Sequence, residues 1–153
     1  MDWVREDGYA ITDDPARVDV DAVHAELTRS YWSPGIPRDV VARGIANSLP
    51  FSLLAPDGAQ AGFARAVTDR ASYAYLGDVY VAEAHRGRGL GKWLVETVLA
   101  HPDLQGLRRW ALATADAHGL YARFGFAPAE RPELHMFIDR DPAELWPPGP
   151  GRG

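Results

Sequence analysis

Polar and apolar positions along the chain follow helical spacing in some stretches and strand alternation in others. From Asp19, a good N-cap, Val20, Val23, His24 and Leu27 recur on one face, so a first helix is expected there, ending near YWSPGIP. Pro37 suits the first position of a second helix carrying Val40, Val41, Gly44 and Ile45, which leaves YWSPGIP as an interhelix loop. YAIT (9–12) reads as a short first strand after an irregular acidic start. FSLLA and AGFARAV, joined by PDGAQ, read as an antiparallel hairpin. In YAYLGDVYVA, alternation places Tyr75, Gly77, Val79 and Val81 on one side and Leu76, Asp78 and Tyr80 on the other. Leu90, Leu94 and Val98, with Val95 and Leu99 beside them, form a helical stripe that stops at His101 and Pro102. LRRWALAT is expected as a strand and DAHGLYARFGF as a short helix, with Leu120 and Phe124 inward and Gly125 as its left-handed cap. LHMFID is expected as a last strand.

This order is mixed α/β in 153 residues, the size of one domain. The domain is expected over 1–140, with a flexible Pro/Gly-rich tail over 141–153. Charge narrows the partners: 16 Lys plus Arg against 21 Asp plus Glu gives a net −5, which favours neither nucleic acid nor an anionic membrane as partner. The absence of cysteine excludes disulfides, thiolate metal sites and a thiol nucleophile, and fits a reducing, cytoplasmic location. The first thirty residues hold no apolar run of signal-peptide or membrane-span length. His85, His101, His118 and His135 lack close i,i+4 pairing and have no cysteine partners, and His24 reads as a half-buried helix residue, so no structural metal is expected.

One stretch is out of keeping with an acidic chain. HRGRGLGKWL (85–94) packs two arginines, three glycines and Lys92, the single lysine, into the turn between a strand and a helix. A P-loop would need glycine where Arg86 stands and Ser or Thr where Trp93 stands; a dinucleotide fingerprint would need G-x-G-x-x-G, but Gly87, Gly89 and Gly91 alternate. What remains is R-x-x-G-x-G, Arg86 to Gly91: glycines leave backbone N–H groups uncovered and a helix start adds positive potential, an arrangement suited to a diphosphate. Arg86, Arg88 and Lys92 add formal charge. The bland alternative is a basic, flexible turn.

VYVAEAHRGRGLGKWLVETVL resembles the acetyl-CoA binding segment of the GNAT (Gcn5-related N-acetyltransferase) superfamily, and the order of elements from about Tyr9 to Ile138 is similar to that family as well. The resemblance implies a mixed, mostly antiparallel sheet of six to seven strands, splayed at its centre, with helices on both faces. It implies that the main chain of Val79 and Val81 pairs with the pantetheine arm of acetyl-CoA, and that the amides from Arg86 through Gly87, Arg88, Gly89 and Leu90 to Gly91 meet the pyrophosphate. HGLYARFGF resembles the segment that brings a tyrosine near the thiol, which makes Tyr121 the candidate proton donor. Tyr31 and Trp32 lie where the family forms an acceptor wall.

The family keeps no fixed general base. Asp78 is the first candidate, as a carboxylate on a half-buried strand face, and Glu83 the second; Asp78 reads more readily still as a structural residue that caps a turn or pairs with an arginine such as Arg65 or Arg109. Tyr121 is alternatively an amphipathic core residue, and Tyr31 and Trp32 are alternatively plugs under a loop. The expected activity is acetyl transfer from acetyl-CoA to a primary amine on a small molecule or peptide, by direct attack in a ternary complex. The competing readings are a non-catalytic acyl-CoA sensor or interaction module, and an acyltransferase with another acyl donor or acceptor. The resemblance also makes a homodimer plausible, through sheet edges or the C-terminal strand.

Overall fold

The computed structural model describes residues 1–148. Strands β1 (Asp2–Val4), β2 (Ala10–Thr12), β3 (Leu49–Leu54), β4 (Gln60–Thr68), β5 (Tyr73–Val81) and β6 (Arg109–Ala111) form one sheet in sequential order. Neighbours are antiparallel until the last pair, where β6 runs parallel to β5. The helices are α1 (Val20–Leu27), α2 (Arg38–Ala46), α3 (Leu90–Ala100), α4 (His118–Ala122) and α5 (Pro142–Leu145).

Two apolar clusters separate the layers. On one face Phe51, Leu53, Ala64 and Leu76 meet Leu90, Leu94, Val95 and Val98 of α3; on the other Phe63 meets Val23 and Leu27 of α1 and Val41 and Ile45 of α2. Helices therefore cover both faces of a mostly antiparallel sheet. Asp19 caps α1, its Oδ1 accepting from the Ala22 amide at 3.1 Å. Pro37 is the N-cap of α2, one position before that expected of it.

β5 departs from strict alternation. Phe63 pairs with Tyr80 but Arg65 with Gly77, so two steps on β4 face three on β5. This bulge puts Asp78 at φ +56. An inserted residue swaps the faces of all that follow. Val79 and Val81 thus join Leu76 on the α3 face, while Tyr80 turns to the α1–α2 side with Phe63, correcting the grouping expected from alternation.

β6 is held to β5 only from Tyr73↔Arg109 to Tyr75↔Ala111. Beyond Tyr75 the two chains part, opening a slot between β5 and residues 112–117. The strand expected over LRRWALAT shrinks to three residues because its continuation follows the far wall of that slot. Three other boundaries differ. β1 occupies the start read as irregular, α4 ends at Ala122, and LHMFID forms no strand, because no neighbouring strand lies beside it. Gly125 does cap α4: at φ +95 it lets Phe126 N–H donate to Tyr121 O at 3.2 Å and Gly125 N–H to Ala122 O at 3.1 Å. Within the stretch read as a flexible tail, α5 forms and Trp146 packs on the α1–α2 cluster; residues 149–153 lie outside the described residues.

Candidate active site

The glycine turn lies at one end of the slot. Gly87 and Gly89 have φ +81 and +74, and a Cβ built on either meets nothing within 4 Å, so the space in front of the turn is open. Among the described residues no acceptor meets the amides from Gly87 through Lys92; the first helical bond of α3 runs from Trp93 N–H to Gly89 O at 3.1 Å. Uncapped amides at a helix start carry partial positive charge into that space. Gly91 sits beside Val81, where a Cβ would make ordinary van der Waals contact with Val81 Cγ2 at 3.8 Å. The donor set therefore suits a diphosphate: main-chain N–H groups in a concave turn, with Arg88 and Lys92 exposed beside them. Arg86 is committed in part elsewhere, its Nε donating to Val81 O at 3.0 Å. That carbonyl keeps one lone pair.

The connection between β1 and β2 braces this turn, a contribution the sequence did not disclose. Arg5 donates to Arg88 O at 3.1 Å and lies over the Trp93 ring at 5.3 Å, while Tyr9 OH meets His85 Nδ1 at 2.8 Å. No local motif marks contacts made over such separations in sequence.

Along the slot two hollows adjoin. One of about 380 Å³ is lined by Val79, Val81 and the glycine turn; the next, of about 410 Å³, by Arg65, Tyr75, Asp78 and Tyr121. Tyr31, Trp32, Val79 and Asp116 border both. The loop between α1 and α2 closes over them from above. Tyr31 OH accepts from the Ala115 amide at 2.9 Å on one wall, and Trp32 Nε1 donates to Asp78 Oδ1 at 3.0 Å on the other. The two rings meet edge to face at 5.0 Å, so the pair bridges the parted strands.

Asp78 is tied down as the alternative reading allowed. Its Oδ2 accepts from Arg65 Nε at 2.6 Å, and Arg65 Nη1 reaches Ser48 Oγ at 2.8 Å. With the pair only 25% and 13% exposed, solvent screens it weakly. Tyr121 lines the inner hollow, and nothing among the described residues hydrogen-bonds its hydroxyl. Burial, then the nearby Tyr31, Asp116 and Tyr75, push its phenol above the usual value, so it stays a protonated donor at neutral pH. Glu83 is exposed on a single helical turn (Glu83–His85) beside Arg86 and borders an outer hollow with Glu26 and Asp116. Thus the structure brings together the glycine turn, Val79, Val81, Tyr31, Trp32, Asp78 and Tyr121 on one slot. Arg65, Tyr75 and Asp116 complete it and had no motif to mark them.

The model of the acetyltransferase (GNAT) family matches residues 19–126, a span that includes the glycine turn, both hollows and Tyr121. The chain belongs to the GNAT family. A solved structure from Xanthomonas campestris pv. campestris, assigned to the same family, is 45% identical, covers 90% of this chain and 96% of its own, and superposes with a TM-score of 0.85. A Gibberella zeae protein classed provisionally as an acetyltransferase is 30% identical over 145 residues, 80% of each chain. Glucosamine-6-phosphate N-acetyltransferase of Arabidopsis thaliana, at 15% identity and a TM-score of 0.61 over 87% of this chain and 99% of its own, shares the fold. This GNAT protein is accordingly an acetyltransferase by family, and the family uses acetyl-CoA as co-substrate. Among the described residues no group of His, Cys, Asp and Glu is arranged to hold a metal ion.

Proposed function

We propose that this chain moves an acetyl group from acetyl-CoA to a primary amine in a ternary complex. One observation carries the reading: the unpaired amides from Gly87 through Lys92 open on the same slot whose inner hollow is lined by Tyr121, a neutral phenol with no hydrogen-bond partner among the described residues. Acetyl-CoA supplies a thioester, whose carbonyl carbon bonds to the amine nitrogen as its C–S bond breaks. The glycine turn anchors the diphosphate, and the free edge of β5 at Val79 and Val81 holds the extended arm as a neighbouring strand would be held. Positioning two reactants this way supplies much of the acceleration. Tyr121 gives its proton to the departing sulfur and recovers one from solvent before the next turnover. Tyr31 and Trp32 wall the acceptor hollow and limit water. Asp78, with both oxygens engaged, acts as a positioning residue that fixes Trp32 and Arg65, and the amine's proton leaves to solvent through the open slot.

The test is a panel of primary amines with acetyl-CoA, read by release of free thiol, beside calorimetry of acetyl-CoA binding. Tyr121→Phe is expected to keep donor binding and lose about 10²–10⁴ in kcat, the usual contribution of a placed acid. Donor binding without turnover of any amine would overturn the enzymatic reading in favour of a sensor.

A further inference from the structure

Residues 5–9, which connect β1 to β2, lie before residue 19, where the match to the family model begins. Arg5 is fixed at the base of that connection: its amide donates to Tyr9 O at 2.8 Å and its carbonyl accepts from the Gly8 amide at 3.0 Å. The guanidinium is held as firmly as the backbone. Asp7 takes it as a fork, with Oδ1 accepting from Nε at 3.2 Å and Oδ2 from Nη2 at 2.5 Å, and its Cζ stands over the Trp93 and Tyr9 rings at 5.3 and 6.0 Å. From this mounting Nη2 also donates to Arg88 O at 3.1 Å.

A trans peptide carries its C=O and the following N–H in opposite directions, so holding Arg88 O on Arg5 turns the Gly89 N–H away from the β1–β2 connection. That amide has no acceptor among the described residues, and the space in front of Gly89 is open. Glycine leaves this peptide unit easy to turn over. The flip moves ψ of Arg88 between two ranges open to any residue, and φ of Gly89 from +74 to negative values that glycine adopts as readily. The flipped unit would present a carbonyl oxygen to the phosphates in place of an N–H. We infer that Arg5 is a positioning residue for the donor: through its bond to Arg88 O it keeps the 88–89 peptide with the N–H toward the diphosphate, and so sets the affinity for acetyl-CoA from behind the turn. Its charge also polarises that peptide and strengthens the N–H as a donor. The inference rests on the reading of the glycine turn as the diphosphate site.

Calorimetry with acetyl-CoA and steady-state kinetics on the full chain test it. Arg5→Ala is expected to raise Kd and KM for acetyl-CoA about tenfold, the worth of one hydrogen bond from a charged group, with kcat at saturating donor unchanged. Arg5→Lys keeps a donor and the charge but loses the fork, and is expected to recover part of that loss. A ¹⁵N–¹H spectrum of the unliganded protein reads the peptide itself: the Gly89 amide signal is expected to shift or broaden in Arg5→Ala as the second orientation fills, a change that general loosening of β1 would not confine to the turn. If Arg5→Ala does not fold, Asp7→Asn decides, since it keeps an oxygen for the Tyr9 amide while weakening the fork, and it too is expected to raise Kd. Donor affinity equal to the parent's in the folded variant would overturn the inference, as would weaker binding with an unmoved Gly89 signal. A parent chain that binds no acetyl-CoA would instead overturn the reading of the turn, and this inference with it.

Discussion

Gly89 holds the most exacting position in the donor turn. At φ +74 a β-branched residue is strained, and its side chain would stand in the open space in front of the amides. Gly89→Val is therefore expected to weaken acetyl-CoA binding at least ~10-fold while leaving the melting transition two-state; calorimetry on the purified variant reads the first and a thermal scan the second. The turn was legible from sequence because residue types and spacing alone define it. Asp78 was not. Its partners depend on a bulge that shifts β5 by one residue against β4, and strict alternation placed Leu76 on the wrong face relative to Val79 and Val81. Nor could spacing show that Trp32 crosses the slot to reach Asp78, a contact across 46 residues.

Among the elements, the β4–β5 hairpin depends on one turn. Asp69 accepts from Ser72 Oγ and from the amides of Ser72, Ala71 and Tyr73, and these bonds hold its carboxyl far below the ordinary carboxylate range. A depressed folded value means the contribution is fully present above the unfolded pKa of about 4, declines below it, and is lost only as pH falls through the still lower folded value. Asp69→Asn is expected to lower stability at pH 7 and to lower it by clearly less at pH 2, with urea melts at the two pH values as the check. An equal loss at both would show that the ionised carboxylate is not what matters. The long elements were readable because their apolar spacing is set by their own cores: α1, α3 and the β3–β4 hairpin lie where the pattern puts them. Short ones were not. β1 has three residues and no alternation to detect, β6 stops where the sheet parts, and LHMFID has the composition of a strand without a neighbour in its own chain.

Across the whole molecule, the second helical layer extends past the family domain. Trp146 packs on Val23, Leu27 and their neighbours, and its carbonyl lies 3.1 Å from where a Cβ on Gly35 would stand. Removing a partly buried aromatic of this kind costs about 1–2 kcal/mol, which for a chain of this size lowers Tm by about 2–8 °C. Trp146→Ala should show that shift in calorimetry with acetyl-CoA affinity unchanged; a lost affinity with an unmoved Tm would contradict the packing role. The parting of β5 from β6 has its own reach. Three rungs, Tyr73–Tyr75 against Arg109–Ala111, are all that join the two walls, which face each other across the slot at Val79 and Asp116. Two of the three rungs, at Tyr73 and Ala74, lie outside the lining of the inner hollow, so sequence changes there give evolution a way to reshape the mouth while keeping the side chains that face it.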